Sequence, residues 1–295
     1  MIDDQAAQQF AGNARGAARL IAVPPGLRDL CFVAVERDTR GCDLGPVERV
    51  NHYPASPLCT VTIALAGTAR LVGPDAAVCE PLPQMCLAGP TNRPVASRND
   101  GPVLAIFLCC FPDALARLTG FEPGALRNRI VALHEGGDTA FLALCDGLLI
   151  RGPGADSLSD FLAGLEALWL RVRSEHSATL PARIADWSRA AAYKAALSRP
   201  GRGVRQVQRR LQALTGHSRR ELEQFARNEV LFEAVVAQPD LAGNLADFAH
   251  GNGFADQSHL GRFVRRMTGH SPAEMNQRLA HDEAFWFYRL MRDHY

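Results

Sequence analysis

No stretch of this sequence approaches the ~18–20 consecutive apolar residues that a membrane span needs. Its opening, Met1-Ile2-Asp3-Asp4-Gln5, is acidic, whereas a secretory leader is basic and then apolar. Both absences predict a cytoplasmic protein with no membrane partner. Catalytic signatures are missing too: there is no Gly-x-Ser-x-Gly, no phosphate-binding glycine loop and no paired-histidine motif. Before residue 180 only His52, His134 and His176 occur, and a metal centre built on strands needs several imidazoles beside a carboxylate. Cys-x-x-Cys and Cys-x-x-His pairs are absent as well. These gaps predict a protein that is not an enzyme and that holds no metal or cofactor. Lysine is reduced to Lys194 alone, an arginine bias that reflects a GC-rich genome more than chemistry.

Cysteine is present but confined to the first half, at Cys31, Cys42, Cys59, Cys79, Cys86, Cys109, Cys110 and Cys145. A disulfide scaffold would be short and secreted, so thiols acting as small hydrophobes are expected here instead. Cys109 and Cys110 are neighbours on an apolar strand and should point to opposite faces. Cys79 and Cys86 flank a proline-containing turn and are spaced to approach one another.

The 295 residues suffice for about two domains at the usual ~100–200 residues each. Charge divides the chain: residues 1–180 carry 15 Arg against 19 acids, and residues 181–295 carry 17 Lys+Arg against 12 acids. A basic C-terminal part beside an acidic N-terminal one points to a polyanionic partner.

Patterning divides it at the same place. Residues 30–35, 59–65 and 103–108 are short β-rich runs separated by Gly, Pro and Asn clusters, as in an antiparallel sandwich or barrel. From Pro112 the apolar spacing becomes helical, over 113–119, 139–150 and 158–173. The last of these carries Leu158, Phe161, Leu165, Leu168 and Val172 at i+3 or i+4, a stripe long enough to serve a dimer contact. The polar segment 174–181 reads as a boundary, and helices follow to the end. The fold class is therefore α+β, with domains at 1–180 and 181–295.

Two segments of the helical part align at an offset of 53 residues, and both end in Thr-Gly-His-Ser, at 215–218 and at 268–271. Val207, Leu211 and Leu214 form one buried stripe, and Leu260, Val264 and Met267 form its copy. Each helix stops at a glycine suited to the left-handed C-terminal position, and Asp256 stands where the second needs an N-cap. The opposite faces present Arg205, Gln208 and Arg209 in the first copy, and Gln257, Ser258 and Arg262, with His259 beside them, in the second. Arg pairs bidentately with guanine and Gln with adenine, so these faces can read base edges. Upstream of the second copy, 244–250 reads as a short helix and 251–254 as a glycine-bearing turn, which completes a helix-turn-helix plan.

On Asn244-Leu245-Ala246-Asp247-Phe248-Ala249, on Gly253 to Phe263 and on Arg265-Arg266-Met267-Thr268-Gly269-His270-Ser271-Pro272, the sequence resembles the AraC/XylS family of regulators over roughly 185–280. The resemblance implies two recognition helices in successive major-groove segments of an operator, joined by a linker helix at 221–236. It also implies a cupin-like β-barrel ahead of them that binds a small effector and dimerises, and RNA polymerase as a candidate partner. One departure is the turn at 199–203, which is richer in Pro and Gly than the family pattern.

The strands supply mostly apolar residues, which predicts a small, largely uncharged organic effector. Arg93 and Arg98 are the exceptions, in a turn-rich stretch. The alternative is a thiol- or metal-responsive regulator that uses the N-terminal cysteines. The tail at 284–291 is apolar nearly all round and must be buried, on its own domain, on the sensor or on a second subunit.

Overall fold

The computed structural model describes residues 17–73, 78–173, 183–197, 203–237 and 245–294. Among the described residues there are ten strands, nine of them ahead of any α-helix: β1 Ala17–Ile21, β2 Cys31–Asp38, β3 Val50–Tyr53, β4 Cys59–Ala66, β5 Ala69–Val72, β6 Val78–Pro81, β7 Met85–Ala88, β8 Val95–Asn99, β9 Leu104–Cys110 and, later, β10 Ile130–Ala132. They form two antiparallel sheets, one ordered β1-β2-β9-β4-β7-β10 and the other β3-β8-β5-β6. The three apolar runs legible in the sequence are β2, β9 and β4, adjacent at the centre of the larger sheet.

Side-chain alternation gives that sheet two different faces. On β4, Cys59, Val61 and Ile63 are buried towards the helices, while Thr60, Thr62 and Ala64 face a cavity between the sheets. On β9, Ile106, Leu108 and Cys110 are buried in the core, and Ala105, Phe107 and Cys109 line the cavity. Cys109 and Cys110 thus point opposite ways, as strand geometry requires.

Helices α1 Pro112–Thr119 and α2 Pro123–Leu126 lie between β9 and β10, and α3 Thr139–Arg151 and α4 Ala155–Val172 follow β10. The α1 helix starts on a proline, whose missing N–H is needed nowhere, and ends at Gly120 with φ 76°. Asp138 caps α3 by accepting from the Ala140 and Phe141 amides. The stripe of α4 is consumed inside the chain. Leu158, Phe161, Leu162, Leu165, Leu168 and Trp169 are all buried, and the Trp169 indole N–H donates to Asp29 at 2.6 Å. Four of the five residues expected to serve a dimer contact, Leu158, Phe161, Leu165 and Leu168, are thus covered within the chain, and the fifth, Val172, is exposed together with Leu170.

The remaining helices are α5 Ile184–Leu197, α6 Val204–Thr215, α7 Arg219–Ala237, α8 Leu245–Gly251, α9 Gln257–Thr268, α10 Pro272–His281 and α11 Trp286–His294. The boundary segment 174–181, the turn at 199–202 and Asn244 lie outside the described residues. One apolar core runs through both parts of the chain, with Phe111 and Trp187 ring centroids 5.7 Å apart. Asp113 at the start of α1 holds α5, accepting from the Trp187 indole at 2.9 Å and from Lys194 at 2.9 Å. Among the described residues no helix is long and apolar enough to cross a membrane.

Candidate nucleic-acid interface

Both copies of the repeat fold into the same local structure, and the cause is visible atom by atom. In the first, the Thr215 hydroxyl donates to Leu211 O at 2.7 Å and accepts the His217 amide at 3.1 Å. In the second, Thr268 donates to Val264 O at 2.8 Å and accepts from His270 at 3.1 Å. The glycine between them turns the chain with positive φ, 75° at Gly216 and 83° at Gly269. Each serine then opens the next helix. The Ser218 amide donates to Glu221 at 2.9 Å and the Ser271 amide to Glu274 at 2.7 Å, two capping boxes of the same design. The repeat therefore extends to the glutamates, which the sequence comparison stopped short of. A serine followed three residues later by a glutamate was the signal.

The corners fix α6 and α9 so that one face of each is buried and the other is open. Leu211, Leu260, Phe263 and Met267 are in the core, and Val207, Leu214 and Val264 pack against it. Of the seven residues expected to meet DNA, Arg205, Gln208, Arg209, Gln257, Ser258 and Arg262 are all exposed. His259 differs: it is half-buried, with its ring 5.3 Å from that of Phe254. Its amide, not its ring, meets the N-cap, donating to Asp256 at 2.6 Å. Each helix carries three arginines and no acid, Arg205, Arg209 and Arg210 in one and Arg262, Arg265 and Arg266 in the other. Such surfaces attract a polyanion. Arg209 and Arg262 occupy the same position in the two copies.

The linker helix α7 joins the units. It caps α5 from a distance, since Glu229 accepts the Ile184 and Ala185 amides at 2.9 and 3.1 Å. Burial raises the Glu229 pKa, and these two amides work against that rise.

Both corners also rest on the sheets, which the sequence did not reveal. Gly216 abuts Pro90, and a Cβ at Gly269 would lie 3.2 Å from Pro94 Cγ. The Ala55 amide donates to Met267 O at 2.8 Å, at the end of α9. His217 is completely buried against Phe225, beside an Arg127–Glu221 ion pair. Burial pushes its pKa down to about 4. His270 is half-buried, 5.0 Å from the ring of His52 and 4.9 Å from Phe285. Burial, then the nearby His270 charge, pushes His52 down to about 4.

Between the sheets lies a cavity of about 940 Å³, bounded also by Phe225, Asn228 and Phe232 of α7 and by Phe287 and Met291 of α11. Most of its lining is apolar, but Arg37, Arg93, Arg129 and Glu229 also border it, and of these the sequence marked out only Arg93. Arg37 of β2 is 1% exposed and pairs with Glu283 at 2.6 Å. No disulfide joins the seven described cysteines. Burial pushes Cys86 up to about 11 and Cys109 and Cys145 up to about 12, which disfavours thiolate chemistry. The Cys79 side chain, and with it the expected approach to Cys86, lies outside the described residues. Among the described residues no cluster of three or more His, Cys, Asp or Glu could hold a metal ion.

No family model matches this sequence, and no curated protein matches it. Among solved structures it is similar to an apo ToxT variant from Vibrio cholerae, at 12% identity over 83% of this chain and 96% of that one, with TM-score 0.38. It is similar to ToxT from the same organism at 13% identity, 78% and 94% coverage and TM-score 0.36. A third likeness is to the AraC-like transcriptional activator CuxR, at 12% identity, 94% and 90% coverage and TM-score 0.26.

Proposed function

We propose that this protein is a ligand-responsive, sequence-specific DNA-binding regulator of the AraC/XylS type. The observation that carries the reading is the pair of exposed, arginine-bearing, acid-free faces on α6 and α9, held by identical corners. Arg205, Gln208 and Arg209 would read one major-groove segment. Gln257, Ser258 and Arg262 would read a second about one helical turn away, ~34 Å along the duplex. Residues 1–180 would form the sensor and 181–295 the reader, acting in the cytoplasm as a homodimer beside RNA polymerase.

The cavity supports a small, largely uncharged organic effector. The Arg37 charge is already paired with Glu283, and the lining is otherwise mostly apolar, with Arg93, Arg129 and Glu229 at its border to fix a ligand's polar groups. A ligand that fits one arrangement of sheets and α7 better than another shifts operator affinity by that same difference. Footprinting of selected operator fragments tests the DNA reading, with two protected patches per chain expected and a single short patch refuting it. Thermal-shift screening followed by operator titration tests the effector. A response to metal ions or thiol oxidants alone would overturn the effector half.

A further inference from the structure

We propose that the loop 89–94, between β7 and β8, sets the spacing of the two recognition helices by seating both of their C-terminal corners. The inference rests on the reading of α6 and α9 as DNA-reading helices. The two corner glycines, 53 residues apart in the repeat, come to rest on two prolines four residues apart. A Cβ on Gly216 would stand 2.4 Å from Pro90 Cγ, and one on Gly269 would stand 3.2 Å from Pro94 Cγ. Between the prolines, the Asn92 side-chain amide donates to Glu221 Oε1 at 3.4 Å, and Glu221 closes the capping box of the first corner. At the second corner, the Ala55 amide donates to Met267 O at 2.8 Å, in the last turn of α9.

The loop is built as a strut. Two of its six residues are prolines, whose rings fix φ. Its backbone is held from both sides. The Gly89 amide donates to Arg129 O at 2.9 Å, the Asn128 amide to Pro90 O at 2.9 Å, and the Asn92 amide to Asn128 Oδ1 at 3.1 Å. Across from these, Thr91 and Ser56 exchange backbone hydrogen bonds at 2.8 and 3.1 Å. Gly89 admits no side chain, because a Cβ there would stand 2.0 Å from Leu126 O. A segment with paired backbone groups and two locked torsions resists any change in the distance between its ends.

Helices seated on such a strut present their faces to a duplex at one separation, which the fixed ~34 Å helical repeat of DNA rewards. The opposite side of the loop is a wall of the cavity, lined by Gly89, Thr91 and Arg93. An occupant at that wall touches the support of both corners.

A duplex selected from random DNA by the parent chain, and derivatives with one base pair inserted or removed between its two protected patches, test the assignment. The parent should bind either derivative at least tenfold more weakly. Pro90→Gly/Pro94→Gly should lose less than threefold, with base preference inside each patch unchanged. Retained tenfold discrimination in this double variant, whatever its overall affinity, overturns the proposal and leaves the spacing to α7. If the double variant does not fold, Pro94→Gly and Asn92→Ala replace it, at the looser contacts. Each should at least halve the parent's discrimination, and an unchanged spacing profile in both overturns the proposal. A parent that shows two patches yet binds all three duplexes equally also overturns it and leaves the DNA reading intact. A single patch, or no duplex binding, overturns both.

Discussion

In the first repeat Gly216 abuts Pro90 and His217 is sealed from water, while in the second Gly269 stands 3.2 Å from Pro94 by its would-be Cβ and His270 is half-buried. The N-terminal ends differ in the opposite sense. Asp256 caps α9 through its side chain, whereas Gly203 offers α6 none. Two segments of matching sequence, with matching corner hydrogen bonds, are thus fixed to the molecule differently. The first is gripped at its C-terminal corner, and the second is made rigid by its own cap and by the helix behind it. Local sequence sets the shape of a corner, and burial sets how firmly it is held.

The contrast can be broken by filling the glycines. Gly216→Ala forces a methyl into Pro90 at positive φ, so overpacking and left-handed strain together should cost about 2–4 kcal/mol. Gly269→Ala needs only a small shift of Pro94 and should cost about 1–2 kcal/mol. Urea unfolding of both variants checks this, and equal losses would remove the asymmetry.

Acid should expose the same difference. A histidine whose folded pKa is lowered stays neutral in the folded chain while the unfolded one gains a proton. Its stabilising contribution is therefore full above about pH 6.5 and falls away as pH drops towards about 4. For the fully buried His217 this amounts to about 3 kcal/mol across that window. His217→Gln should flatten the acid slope of unfolding stability more than His270→Gln, and identical slopes would contradict the burial argument.

The exposed faces of α6 and α9, proposed to read DNA, sharpen the comparison. Arg209→Ala and Arg262→Ala should each weaken the best operator by ~1–3 kcal/mol and relax preference at a different base pair. Binding selections on both variants would show whether the two preferences map to separate segments. The smallest effects lie at the caps: Asp256→Ala should cost ~1 kcal/mol, and Gly203→Asp should gain a few tenths. Thermal melts resolve the first, and a gain as large as the loss would mean that α6 frays more than its corner implies.

Much of the fold was legible because its signals are local. β2, β4 and β9 announce themselves as apolar β-branched runs, since both of their faces are covered, by helices on one side and by the cavity on the other. The smaller sheet did not, because β3, β5, β6 and β8 are four or five residues long and mixed in character. The polar faces of α6 and α9 were readable from the repeat, and six of their seven marked residues are exposed. His259 departs because Phe254, across the turn, offers its ring a partner. The stripe of α4 was legible as a face to be buried, but periodicity does not say against what, and most of it packs within the chain.

By itself, the sequence determined what depends on a few neighbouring residues: strand alternation, helical spacing, the Thr-Gly-His-Ser corners and the excess of arginine on α6 and α9. Tertiary structure alone decided which distant groups meet. Arg37 and Glu283 lie near opposite ends of the chain, and nothing around either predicts that they will be buried together. The same holds for Trp286 with Asn51, and for the prolines under the two corner glycines. Desolvating a charge or a histidine is a property of everything packed around it. That environment comes into being only when both halves of the chain close on one core.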